Sequence, residues 1–179
     1  MKVLLRTEFG NPILRREAKE IPHKFLKTAK FKKLVQRMIY TMRRVGGVGL
    51  AAPQVGIPLS ISVMEVRPTT THPTLKRKGP IIIVNPRIIK YSKKKVSDWE
   101  GCLSFKNVCG LVPRSDKIIV QYCNLDGVMV TDNASGLWAR IFQHEIDHLN
   151  GNVYVDLITD MTSLMTLSEF KKRVLKKRR

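Results

Sequence analysis

Apolar positions recur at helical spacing early in the chain, at Phe31, Leu34, Val35, Met38, Ile39 and Met42. That period predicts an amphipathic helix from about Thr28 to Arg44, stopped by Gly46-Gly47. Lys30, Lys32, Lys33, Arg37 and Arg43 fall on its other face and predict a solvated basic surface. The pattern then changes to short β-branched runs bounded by Pro, Gly, Asn and Asp. They are Ile57–Val66, Ile81–Asn85, Arg87–Tyr91, Ile118–Cys123 and Gly127–Thr131, and they read as strands. Asn124-Leu125-Asp126-Gly127 reads as a hairpin turn between the last two. Thr69–Gly79 reads as a basic, proline-containing loop.

A second helix is expected to start near Asn133 or Ser135 and to stop at Asn150-Gly151. Leu137, Trp138, Ala139, Ile141, Phe142, Ile146 and Leu149 are spread almost all round it, the mark of a buried helix. A third helical stretch closes the chain, with Leu164, Leu167, Phe170, Val174 and Leu175 as one apolar stripe. Helix, several strands, buried helix and tail helix make an α+β chain rather than a doubly wound sheet. No repeat or low-complexity linker divides it, so one domain over residues 1–179 is expected.

At 179 residues, with a hydrophobic fraction of 43%, the chain can bury a core without disulfide staples. Three cysteines, Cys102, Cys109 and Cys123, are an odd count that suits a reducing compartment. The only early apolar run is Val3–Leu5, too short for a secretory signal. Pro53, Gln54 and Pro58 interrupt Gly47–Met64, so no stable membrane insertion and a cytoplasmic location are expected. Charge changes the picture more. Lys and Arg total 33 against 14 Asp and Glu, a net +19 that predicts attraction to polyanions. The densest basic run is the tail, Lys171–Arg179.

The buried helix carries the chemistry. His144-Glu145-Ile146-Asp147-His148 is H-E-x-x-H, whose two imidazoles leave one helix face able to grip a metal ion. Glu145 can then reach a water on that metal and move its proton. Two His and a Glu in an otherwise apolar helix would be costly to bury without such a partner. A catalytic site usually has a third protein ligand. The position used by a later His in some proteases holds Tyr154. Glu169 stands at a suitable distance for a thermolysin-like site, yet pairing with Lys172 or Arg173 explains it more simply. A cysteine remains, and Cys102 in Glu100-Gly-Cys-Leu-Ser104 is the one beside a tight-turn glycine.

Three motifs in order closely resemble the signature of peptide deformylases: Gly47-Val-Gly-Leu-Ala-Ala-Pro-Gln54, Glu100-Gly-Cys-Leu-Ser104 and Gln143-His-Glu-Ile-Asp-His148. The likeness runs from Gly10-Asn-Pro-Ile-Leu-Arg15 to about Asp156. The resemblance implies antiparallel β-sheets wrapped around a central metal-binding helix, with flanking N- and C-terminal helices. It implies removal of the formyl group from the initiator methionine of new polypeptides, releasing formate. It also implies one divalent metal on Cys102, His144 and His148, iron(II) being favoured and zinc or nickel able to replace it. Gln54 and the backbone N–H of Leu103 are the implied donors to the developing oxyanion, and Glu145 the implied acid and base. By the same resemblance the nascent peptide lies as an added strand beside Gly47 and Gly49. Val48 and Ile141 are candidates for the methionine pocket. Glu100 and Asp147 are candidates to steady the ligand imidazoles or neighbouring turns, with Arg114 or Arg140 as counter-charges.

The chain also departs from the family. Lys106 stands where many bacterial members have proline. Val108-Cys109-Gly110 occupies the place of an arginine that helps to hold the substrate backbone. Docking of the basic tail on ribosomal RNA rather than DNA is a further expectation. Two rivals are a zinc endopeptidase and a ribosome-binding protein that keeps the metal only for stability. The Glu-Gly-Cys-Leu-Ser turn argues against the first, and the presence of Gln54 and Glu145 against the second.

Overall fold

The computed structural model describes residues 1–68 and 78–176. The expected loop at Thr69–Gly79 therefore lies outside the described residues up to 77, and so do the last three residues of the tail. A short helix α1 (His23–Leu26) precedes α2 (Ala29–Arg44). Thr28 caps α2 by accepting the Phe31 N–H at 3.2 Å, and the chain leaves it through Gly46 at φ +74°.

Five antiparallel strands follow in the spatial order β1-β2-β3-β6-β7: β1 (Gly49–Ala51), β2 (Ile61–Val66), β3 (Lys78–Tyr91), β6 (Lys117–Cys123) and β7 (Met129–Ser135). Every residue of β2 is buried because the strand is covered on both faces. Ile61 and Val63 pack with Phe31, Val35, Met38 and Met42 of α2. Met64 and Val66 pack with Trp138, Ile141, Phe142 and Ile146 of α3 (Gly136–Leu149). The sheet thus lies between the two long helices. A second sheet, in the order β4-β5-β8, comprises β4 (Lys95–Cys102), β5 (Phe105–Ser115) and β8 (Met165–Thr166). It covers the far side of α3. Arg140 donates to the Val112 and Val96 carbonyls at 2.8 and 2.6 Å, and Gln143 exchanges bonds with the Ser115 backbone at 2.9 and 3.1 Å.

The expected helices at Thr28–Arg44 and Ser135–Gly151 are present, and so is the Asn124–Gly127 hairpin. The Asn124 Oδ1 stabilises that turn by accepting the Asp126 and Val128 N–H groups. The strands expected at Ile57–Val66 and Gly127–Thr131 are Ile61–Val66 and Met129–Ser135, and other expectations also need correction. The runs at Ile81–Asn85 and Arg87–Tyr91 form one strand, whose register shifts between Val84 and Arg87. There the Asn85 side chain exchanges two bonds with the Ile21 backbone, which holds its positive φ. The long β4–β5 hairpin was not foreseen, since β4 is mostly exposed and lacks a clean apolar alternation. Nor does the tail form one helix from Leu164. Thr166 caps a helix that begins at Leu167, while Met165 and Thr166 pair with Cys109 and Val108. That helix, α4 (Leu167–Phe170), continues as a wider turn over Lys171–Leu175 and seats Phe170 on Trp99, ring centroids 4.9 Å apart.

Candidate active site

The β4–β5 hairpin turns tightly at Leu103-Ser104, with Cys102 opposite Phe105 and a register shift at Gly101. This bulge puts the Cys102 thiol against the inward face of α3. Cys102 Sγ lies 3.2 Å from His148 Nε2. The ligand-type atoms of Cys102, His144 and His148 all lie within 4.8 Å of one another. The two imidazoles, one helical turn apart, have centroids separated by 5.0 Å. One sulfur and two imidazole nitrogens of neighbouring elements form a donor set that suits a divalent transition metal.

The surroundings orient this set. His144 Nδ1 bonds Glu100 Oε2 at 2.9 Å, which leaves its Nε2 for the cluster. Glu100, almost fully buried, also receives Arg114 at 2.9 and 3.0 Å and Arg140 at 2.6 Å. Burial alone would push the Glu100 carboxyl up, but hydrogen bonds from His144 and Arg114 and their charges hold it well below the usual carboxylate range. Asp147 pairs with Arg114 rather than with an imidazole, so it steadies the network one step further out. Burial likewise opposes charge on both imidazoles. His144 is held well above the ordinary histidine value by Cys102 and Glu100, whereas His148 falls well below it.

Glu145 follows His144 on α3 and is 3% exposed, with no hydrogen-bond partner for its Oε2 among the described residues. Burial pushes its carboxyl up to about 7, against the nearby His144 charge. Gly49 is required beside it. A Cβ there would come within 2.1 Å of Glu145 Oε1. Gln54 is fixed at both ends of its amide. Its Oε1 accepts the Ala51 N–H at 2.8 Å, and its Nε2 points to Cys102 Sγ at 3.3 Å. Leu103 occupies the turn directly after Cys102, and its side chain packs against Gly47.

These groups share one cavity of about 600 Å³. Gly47, Val48, Gly49, Gln54, Ile141 and Glu145 all line it, and His148 lies behind the lining. Apolar Leu137 and Leu167 line it too, and the sequence reading assigned them no part in the site. Leu137 precedes Ile141 by one helical turn, a signal that was present in the spacing. Leu167 carried no such signal, because it arrives from a distant element. Tyr154, buried and stacked on His144 at 6.2 Å between centroids, donates to the Val108 carbonyl at 3.2 Å. Glu169 lies at the surface, bonded to Lys172 at 2.9 Å, and is not part of the cluster.

The first residues of the chain hold the site from outside, which the sequence did not suggest. Thr7 N–H donates to the Gln54 carbonyl at 2.8 Å, and Phe9 N–H to the Ser104 carbonyl at 2.9 Å. Phe9 also packs on Phe105, with centroids 4.5 Å apart.

Known proteins are similar to this chain in sequence and in fold. The sequence pattern of the family described as polypeptide deformylase matches residues 6–163. A peptide deformylase of Thermotoga maritima is 41% identical over 157 residues, covering 88% of each chain. Peptide deformylase 2 of Nostoc sp. is 34% identical over 169 residues, 94% of this chain and 93% of that protein. Among solved structures, a class I type b peptide deformylase of Acinetobacter baumannii with bound Met-Ala-Ser superimposes with a TM-score of 0.85. It is 36% identical, and the match covers 88% of this chain and 99% of that one. With the fold, the three motifs and these relatives in agreement, the chain belongs to the peptide deformylase family of hydrolases.

Proposed function

We propose that this protein removes the N-formyl group from the methionine that begins new polypeptides, using one divalent metal held by Cys102, His144 and His148. The observation that carries this reading is the meeting of the Cys102 thiol with both H-E-x-x-H imidazoles beside a buried, hydrogen-bond-free Glu145 oxygen. When bound, the metal supplies Lewis acidity and water of lowered pKa at neutral pH. Glu145, with its free carboxylate oxygen beside this donor set, is placed to accept a proton and pass it to the departing amine. The Gln54 Nε2 and the Leu103 N–H donate to the formyl oxygen as it gains charge. Backbone groups of Gly47–Gly49 pair with the peptide as an added strand, and Val48 and Ile141 receive the methionine side chain.

The resemblance favours iron(II), with zinc or nickel as substitutes, and the odd count of cysteines supports a cytoplasmic setting. No described helix is long and apolar enough to cross a membrane. The basic tail is proposed to dock on ribosomal RNA. Anaerobic purification with metal analysis, followed by formate release from formyl-Met peptides beside unformylated controls, tests the activity. Formate should appear in proportion to bound metal. A metal-loaded enzyme that releases none would refute the reading.

A further inference from the structure

Three cations line the cavity: Arg6, Lys106 and Arg140. Two are committed elsewhere. Arg140 is bound to Glu100 and to the Val112 and Val96 carbonyls, and Lys106 is ion-paired with Glu8. Arg6 differs. Its one hydrogen bond among the described residues is a long contact, Nη1 to the Leu103 carbonyl at 3.4 Å. A guanidinium carries five N–H donors, so most of the donor capacity of this cavity-lining side chain is unused among the described residues. Glu8 feels the Arg6 charge but spends its hydrogen bond on Lys106. The backbone on the C-terminal side of Arg6 is tied down, with Thr7 bonded to Gln54 and Phe9 to Ser104. The backbone beside Arg6 therefore needs little further ordering before a ligand is gripped.

From this we infer that Arg6 is a substrate-anchoring residue that takes a carboxylate of the peptide beyond its N-terminal methionine. The inference rests on the deformylase reading for the identity of the chain in the cavity. The carboxylate has two sources, an acidic side chain or the C-terminus of a short peptide. Guanidinium geometry suits either, since it offers parallel donors to two oxygens. The two acids on the cavity wall, Glu100 and Glu145, belong to the metal-side machinery and do not neutralise Arg6.

The test uses the metal-loaded full chain and four peptides: the amides of formyl-Met-Ala-Ala, formyl-Met-Ala-Asp and formyl-Met-Ala-Lys, and the free acid of the first. The Asp amide and the free acid should show KM about fivefold below the neutral amide, the worth of a partly exposed ion pair, and the Lys amide a higher KM. In Arg6→Ala the four KM values should converge, while Arg6→Lys keeps the order, since it keeps the charge. Calorimetric binding of the unformylated Asp and Ala amides should show the same ranking. That readout is independent of formate release, so failure of the activity and failure of the Arg6 assignment can be told apart. A preference for acid that survives in Arg6→Ala would assign it to the field of the whole +19 chain and overturn the inference. A fall in kcat shared by all four peptides would make Arg6 a support of the Leu103 turn instead, and an equal KM for all four peptides in the unaltered enzyme would also refute it.

Discussion

Glu145 shows how one residue acquires its chemistry from its place. Its Oε2 is buried without a partner among the described residues, and its Oε1 occupies space that a Cβ on Gly49 would fill. Gly49→Ala should displace the carboxylate and cut kcat/KM about 100-fold, the usual result of shifting a reacting group by an ångström. Metal content, measured alongside turnover, should be retained. Glu145→Gln should lower turnover by orders of magnitude with metal still bound, because an amide cannot accept the proton. The same residue gives a stability signature in the metal-free protein. A carboxyl raised from 4.5 to about 7 favours the fold below pH 4.5, and that contribution is lost as pH rises through 7. Glu145→Gln removes the loss, so at pH 8 the variant should be more stable by about 3 kcal/mol, falling towards zero near pH 4. Urea unfolding of both metal-free forms across pH measures the difference.

At the scale of elements, the site exists because a hairpin end and a helix are clamped together. Glu100 of β4, Arg114 of β5, and Arg140, His144 and Asp147 of α3 form one charged network with little solvent around it. Taking one partner from such a network leaves buried charges uncompensated. Glu100→Ala should therefore cost roughly 3 kcal/mol of stability in urea unfolding. It should also weaken metal binding by about tenfold to 100-fold, since His144 loses the acceptor that orients its ring. Cys102→Ser acts on the other element. A hydroxyl is a poor ligand beside a thiolate, so metal retention on dialysis should collapse. A protein that kept its metal as Cys102→Ser and lost it as Glu169→Gln would instead support the thermolysin-like arrangement.

Across the whole molecule, the catalytic groups sit between two sheets, and among the described residues none from Lys171 onward lines their cavity. Seven of the nine residues Lys171–Arg179 are cationic. Truncation after Phe170 leaves the Trp99–Phe170 contact and the β5–β8 pairing in place. It should weaken co-sedimentation with ribosomes and flatten its dependence on salt, as phosphate contacts are lost. Turnover of a short formyl-Met peptide should change by less than about twofold, since no described residue of the removed segment lines the cavity. Equal salt slopes for both forms would leave the tail as a solvated end.

What could be read without the fold was whatever obeys local rules. The period of Phe31–Met42 and the all-round apolar surface of Leu137–Leu149 follow from helical geometry, and both helices are present. The i, i+4 spacing of His144 and His148 makes their shared face a property of the helix itself. The three motifs carried the family resemblance in the same local way. Other features depend on pairings between distant parts of the chain. Cys102 reaches the histidines only because a bulge ends β4 against α3, and β4 itself has too exposed a surface to announce a strand. Leu164 looks helical by its spacing to Leu167, but backbone partners on β5 draw the intervening Met165 and Thr166 into a strand. Arg6 enters the cavity because Thr7 and Phe9 bond to segments some 50 and 100 positions away. Local periodicity reports the face an element buries. Only tertiary contact decides what that face meets, because the hydrogen bonds and charges concerned belong to residues far apart in sequence.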